Sequence, residues 1–175
     1  MTEKKSILII SGSPRKDGNS ERLSEAFQKG AEAAGHSVSV FHLSQARVEP
    51  CLGCGNCHSN GGLCVQNDDM ARILKQFDQA DMLVLTSPVY FFSLSAQLKA
   101  FIDRLYSRIT RPMRIKQSVL LMTGNGDVAF SSMENHYRIL CGAMQWELLS
   151  VEGHTGTVTE EVLNDLTQKA RRLLE

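Results

Sequence analysis

Ile10-Ser-Gly-Ser-Pro-Arg-Lys-Asp-Gly-Asn-Ser20 decides the fold. It follows the apolar run Ser6-Ile-Leu-Ile-Ile10, which has the length of a buried strand, and it leads into an amphipathic pattern that begins near Asn19. A strand, a loop of glycine and small hydroxyl residues, and a helix N-terminus bring backbone N–H groups and the positive end of a helix dipole to one point. That is the construction of an anion site. The P-loop spacing is not met, because five residues separate Gly12 from Gly18 and Asn19 stands where the lysine is required. Hydrolysis of a nucleoside triphosphate is therefore not expected. Ser11 opens the segment as a candidate cofactor-binding residue. Ser13, Asn19 and Ser20 can hydrogen-bond a monophosphate, and Arg15 can add a charge-assisted contact. The plainer alternative is a strand-to-helix turn with Pro14 as breaker and Asn19 or Ser20 as helix cap.

Outward from this stretch, apolar runs alternate with helical patterns. Leu23, Ala26, Phe27, Gly30, Ala31 and Ala34 fall at helical spacing, closed by Gly35, and Val38 to Leu43 alternates as a second strand. Asp68 and Asp69 cap a helix carrying Met70, Ile73, Leu74 and Phe77; Met82 to Thr86 reads as a buried parallel strand. Leu98, Phe101, Ile102, Leu105 and Ile109 mark the next helix, Val119 to Thr123 a fourth strand, and Met133 to Met144 a further helix. Leu148 to Val151 and the stripe Val162, Leu163, Leu166, Ala170 and Leu173 supply the last strand and helix. Five successive strand–helix units predict one α/β domain over residues 1–175, a doubly wound five-stranded parallel sheet between two helical layers. In such sheets ligands bind beyond the carboxyl ends of the strands. The site is therefore expected in Ser11–Ser20, Ser87–Ser95 and Gly124–Phe130.

Composition narrows the function. The chain has 175 residues, 42% apolar and 22% charged, which suits an ordinary water-soluble globular protein. Its 19 basic and 19 acidic residues cancel, leaving no electrostatic footprint for nucleic acid or an anionic membrane. Met1-Thr-Glu-Lys-Lys is too short for a signal peptide and no apolar run reaches spanning length, so a cytoplasmic location is expected. Neither a G-x-S-x-G elbow nor a cysteine followed six positions later by arginine occurs, which removes the usual hydrolase and thiol-phosphatase readings.

Ser87-Pro-Val-Tyr-Phe-Phe-Ser-Leu-Ser95 holds three consecutive aromatics between a strand and a helix start, with Ser93 or Ser95 placed to cap that helix. Loops are normally polar, and a planar cofactor ring is a good reason to keep aromatics there. Joined to a monophosphate cradle, the loop suggests flavin mononucleotide (FMN).

The chain resembles the NAD(P)H-dependent FMN reductase and iron–sulfur flavoprotein family, of flavodoxin-like fold. The resemblance rests on Gly12-Ser-Pro-Arg15, Gly18-Asn-Ser20, the cysteine loop at 51–64, Asp68-Asp-Met70, Ser87-Pro-Val-Tyr90 and Ser95-Ala-Gln-Leu-Lys-Ala-Phe-Ile-Asp-Arg104. It implies strand order 2-1-3-4-5 and an FMN phosphate held by Ser13, Arg15, Asn19 and Ser20. It also implies an isoalloxazine ring lined by Pro88, Val89, Tyr90 and Phe91, NAD(P)H as electron donor, and pairing of chains into a homodimer or homotetramer.

Cys51-x2-Cys54-x2-Cys57-x6-Cys64 places four of the five cysteines in one loop, interleaved with Gly53, Gly55, Gly61 and Gly62. Compact spacing of this kind suits a [4Fe–4S] cluster or zinc held by thiolates, while free thiols or a redox-labile disulfide stay open. Gly124-Asn-Gly-Asp-Val-Ala129 imitates a dinucleotide fingerprint but follows the fourth strand. It reads better as a loop closing over the flavin edge, with Gly124 and Asn125 against the ring. Cys141 reads as a buried apolar residue, and Trp146 as packing at a helix–strand junction.

The expected function is an FMN-dependent oxidoreductase that passes electrons from NAD(P)H to a small-molecule or protein acceptor. The cofactor carries the chemistry, so no side chain is assigned as catalytic. Two other readings stand beside it: an electron carrier fed by a [4Fe–4S] cluster on Cys51, Cys54, Cys57 and Cys64, and a zinc-stapled binding module.

Overall fold

A computed structural model describes residues 3–109 and 111–175. Met1 and Thr2, part of the short opening segment considered above, lie outside them. Five strands, β1 (Ser6–Ser11), β2 (Ser37–His42), β3 (Met82–Pro88), β4 (Gln117–Gly124) and β5 (Glu147–Thr155), form one sheet in the order β2-β1-β3-β4-β5. Every pairing is parallel. The helices are α1 (Asn19–Ala33), α2 (Asn56–Ser59), α3 (Met70–Phe77), α4 (Ala96–Arg104), α5 (Asp127–Met144) and α6 (Glu160–Leu174). The expected flavodoxin-like architecture is the one found.

The strands explain why both faces must be covered. Leu8 and Ile10, Leu83 and Leu85, Leu120 and Met122 join one apolar cluster with residues of α3, α4 and α5. Their neighbours Ile7 and Ile9, Met82 and Val84, Val119 and Leu121 enter a second cluster with α1 and α6. Side chains alternate sides along a strand, so a continuous apolar run is stable only where both faces are dry. Each fully buried Leu, Ile or Val contributes about 1.5–3 kcal/mol relative to exposure. On the second face, α1 and α6 meet so closely that a Cβ on Gly30 would run into the Thr167 carbonyl. His36 fastens the same end: its Nδ1 accepts from the Lys5 amide at 3.1 Å and its Nε2 lies 3.0 Å from the Leu174 carbonyl oxygen.

Several boundaries differ from expectation: α4 ends at Arg104, with Leu105–Arg108 in a tighter 3-10 turn, and β3 runs on through Ser87 and Pro88. α5 begins at Asp127 rather than near Met133, so the Gly124–Phe130 loop shrinks to Asn125 and Gly126. Its first turn escapes an apolar-stripe reading because Val128 faces solvent. β5 runs well beyond Leu148–Val151, and the cysteine loop contains the one-turn helix α2.

Candidate functional site

The carboxyl ends of β1, β3 and β4 converge, and a buried group of hydroxyls seats the N-terminus of α1 above them. Ser20 Oγ lies 2.8 Å from Thr123 Oγ1 on β4, and Ser24 Oγ lies 2.7 Å from Thr86 Oγ1 on β3. All four residues are buried. The hydroxyl of Ser20 is thus turned into the sheet, where it fixes the helix.

Gly12 continues β1 by donating its amide to the Thr86 carbonyl at 2.8 Å. A Cβ there would stand 2.6 Å from Leu98 Cβ, so only glycine lets the loop pass this close to α4. Ser13 closes the turn, its Oγ donating to the Arg15 carbonyl at 3.0 Å and accepting from the Arg15 amide at 3.1 Å. Arg15 is exposed at the rim, and Asn19 donates its side-chain amide to the Gly156 carbonyl at 2.9 Å. Ser11 is buried at the end of β1.

Gly18 is the N-cap of α1 and brings no side-chain capping bond, whereas Ser95 caps α4 and Thr159 caps α6. The first-turn amides of α1 are therefore left without a side-chain acceptor. Together with the Arg15 guanidinium they form a donor set that fits a phosphate monoester, and the Ser13 hydroxyl would join it by turning its O–H from the Arg15 carbonyl to the ligand.

The aromatic segment folds as a tight hairpin. Val89 donates its amide to the Thr123 carbonyl at 2.7 Å, and Tyr90 and Ser93 exchange backbone hydrogen bonds of 3.0 and 3.1 Å. Between them Phe91 and Phe92 both hold positive φ, 46° and 65°. A two-residue turn of this shape normally calls for Asn-Gly, because left-handed backbone is unfavourable for bulky side chains. Residues held in such regions cost of order 1–3 kcal/mol each and gather at functional sites. Phe91 is 96% exposed and Phe92 53%, with their ring centroids 5.8 Å apart. Pro88 is buried, Val89 half-buried and Tyr90 exposed, so the hairpin grades from dry to wet. Ser95 ties it to the loop after β1: its Oγ donates to the Gly12 carbonyl at 2.5 Å and accepts from the Leu98 amide at 3.2 Å.

Gly124 and Asn125 lie at the end of β4, where a Cβ on Gly124 would stand 3.1 Å from the Phe130 ring and 3.3 Å from Val89. Asn125 is exposed.

In the cysteine loop, Gly53, Gly55, Gly61 and Gly62 all adopt positive φ. The amide of Gly53 donates to Cys51 Sγ at 3.5 Å, and hydrogen bonds from Asn56 hold the exposed Cys54 thiol below its ordinary pKa. These thiols and amides have the right chemistry for a cluster. Yet no group of three or more Cys, His, Asp or Glu gathers as a metal site among the described residues.

Two buried arginines anchor the loop, and the sequence reading assigned them no role. Arg104 makes a two-pronged pair with Asp68 at 2.8 and 3.0 Å and donates to the Glu49 carbonyl at 2.9 Å. Arg108 pairs with Asp78 at 2.7 and 2.9 Å and donates to the Gly62 carbonyl at 2.7 Å. Arg104 follows Phe101 by three residues at the end of α4 and Arg108 follows Leu105 by three in the 3-10 turn after it, so both continue the buried face, and an arginine on an apolar stripe was the available signal.

The family model described as NADPH-dependent FMN reductase matches residues 6–163. The chain belongs to this family. Among curated relatives within reach of the FMN reductase family, an iron–sulfur flavoprotein of Archaeoglobus fulgidus is 41% identical over 103 residues, covering 59% of this chain and 46% of the relative. The chain spans about half the length of several curated relatives it matches. Among solved structures, an NAD(P)H:quinone oxidoreductase from Methanothermobacter marburgensis superposes with TM-score 0.73 at 19% identity, covering 97% of this chain and 95% of that one. An FMN-dependent NADH-azoreductase from Bacillus anthracis, in complex with FMN, gives TM-score 0.67 at 16% identity, covering 98% and 100%. These two likenesses are likenesses of fold. No helix among the described residues is long and apolar enough to cross a membrane.

Proposed function

We propose that this chain is an FMN-binding oxidoreductase that draws two electrons from NAD(P)H and delivers them to a small-molecule or protein acceptor. The observation that carries the reading is the meeting of an open, uncapped α1 N-terminus with a strained aromatic hairpin at one end of the sheet, joined through Ser95. Bound FMN supplies the hydride-accepting and electron-passing chemistry. The chain's own residues bind and orient. Ser13, Arg15 and the first-turn amides of α1 hold the phosphate; Asn19 and Ser20 position that helix through Gly156 and Thr123. Pro88, Val89 and Tyr90 wall the ring, and Gly124 and Asn125 close its edge. Phe91 and Phe92 project into solvent, where they can cover a nicotinamide or meet a second copy in a homodimer or homotetramer. The net charge of zero supports a cytoplasmic protein whose partners are neither nucleic acid nor an anionic membrane.

Titration of the apoprotein with FMN, followed by anaerobic addition of NADPH, tests the reading. Quenched flavin fluorescence and bleaching of the flavin bands are expected; a protein that takes up no FMN would end it.

A second reading is favoured by the N–H···S contacts at Cys51 and Cys54 and by the left-handed glycines around them. In it Cys51, Cys54, Cys57 and Cys64 close around a [4Fe–4S] cluster and the protein carries electrons. Equimolar iron and acid-labile sulfide in anaerobically purified protein would establish it, and their absence after reconstitution would remove it.

A further inference from the structure

Glu21 is a charged side chain almost wholly withdrawn from water, 6% exposed, in the first turn of the helix that is to receive an anion. Its placement needs a reason, because a buried carboxylate is costly unless its oxygens are engaged. Both are. Oε2 accepts a hydrogen bond from the backbone amide of Asp17. Oε1 lies 2.6 Å from His42 Nδ1, at the end of β2, close enough for an ion-pair contact although off the line of a regular hydrogen bond.

Asp17 is the residue this contact governs. It holds φ of 56°, left-handed for a residue with a Cβ, near the end of the Ser13–Gly18 loop. The reversal at Asp17 is followed directly by Gly18, the N-cap of α1, so it sets the direction in which the loop enters that helix. Without the carboxylate, the Asp17 amide would lose its partner and the left-handed conformation its support. The same carboxylate cannot itself bind a phosphate, since two anions repel.

We infer that Glu21, backed by His42, is a positioning residue that latches the phosphate loop in its receiving shape, and that it governs how strongly this chain prefers FMN to riboflavin. The inference rests on the FMN reading above. The latch acts through reach and hydrogen-bond acceptance, not through charge.

Equilibrium titrations of FMN and of riboflavin, which lacks the phosphate, separate the possibilities. For Glu21→Ala we expect FMN affinity to fall about tenfold, the equivalent of about 1.4 kcal/mol, while riboflavin affinity stays within about twofold. Glu21→Gln keeps an oxygen at the same distance and should restore FMN binding. Glu21→Asp keeps the charge but falls one methylene short, so it should lose FMN selectively even if the alanine variant does not fold. Equal losses for both ligands, no loss in either shortened variant, or failure of glutamine alone to rescue would overturn the latch. A wild-type protein that binds FMN no better than riboflavin would instead overturn the phosphate cradle itself.

Discussion

Ser95 Oγ donates to the carbonyl oxygen of Gly12 at 2.5 Å across the gap between the Gly12–Gly18 loop and the aromatic hairpin. The same oxygen caps α4 by accepting from the Leu98 amide, in a position sealed from solvent. Ser95→Ala therefore removes a cap, worth about 1 kcal/mol, and strands a buried carbonyl at a cost of about 1–3 kcal/mol. Urea unfolding should show the combined loss, and FMN affinity should fall with it, because both halves of the site share this bond. A variant as stable as wild type would refute the linkage.

The hairpin trades stability for display. Phe92→Gly relieves one left-handed backbone at a residue that faces solvent, and it should raise the melting temperature while weakening flavin or nicotinamide binding. The relief is expected to be about 1 kcal/mol or less, because glycine also loosens the unfolded chain. A fall in stability on this substitution would show that the Phe92 ring contributes more than its backbone costs.

Among the described residues Asp68 and Arg104 form the most deeply buried ion pair, with side chains 0% and 2% exposed. Burial pushes the Asp68 carboxyl up, but the Arg104 guanidinium and the Glu49 and Met70 amides more than offset it and hold it below its ordinary value. Its folded pKa is depressed, so the stabilisation is complete above the unfolded value of about 3.9 and is lost as pH falls through the folded value. Asp68→Asn should cost about 3–5 kcal/mol at neutral pH, and the gap to wild type should narrow in acid. Chemical denaturation at pH 7 and below pH 4 would check this; a gap that widened in acid would contradict it.

Cysteine reactivity should be steeply graded. Hydrogen bonds from Asn56 lower the exposed Cys54 thiol, whereas burial raises Cys141 to about 11. Alkylation read by peptide mass spectrometry should modify Cys54 first and leave Cys141 unmodified until the protein unfolds. Labelling of Cys141 at the same rate as Cys54 would contradict the packing described here.

Periodicity was enough for the sheet, because strands such as Met82–Thr86 are dry on both faces and cannot be anything else in so short a span. Gly12, Ser13 and Pro14 likewise declare a loop in any context. Less was legible where a local rule is overridden. Phe91-Phe92 carries no turn signal, since its left-handed backbone is imposed by the strand and helix it joins. Val128 broke the apolar stripe that would have started α5 at Asp127. The Ser20–Thr123, Ser24–Thr86 and Glu21–His42 contacts join residues far apart in sequence. Only the register of the assembled sheet brings those pairs together.

The close crossing at Gly30 has a consequence for how the molecule is made. In chain order helix α1 comes before four of the five strands, yet residues that cover its outer flank, including Thr167 and Ala170, belong to α6 and follow all five. Until α6 has been made, Leu23, Phe27 and Ala31 must wait with one side unfilled. A nascent chain stalled before Glu160 should stay protease-sensitive through α1 even though all five strands have been synthesised. The helix whose N-terminus was proposed as the phosphate seat is started before β2 and is packed only when α6 arrives.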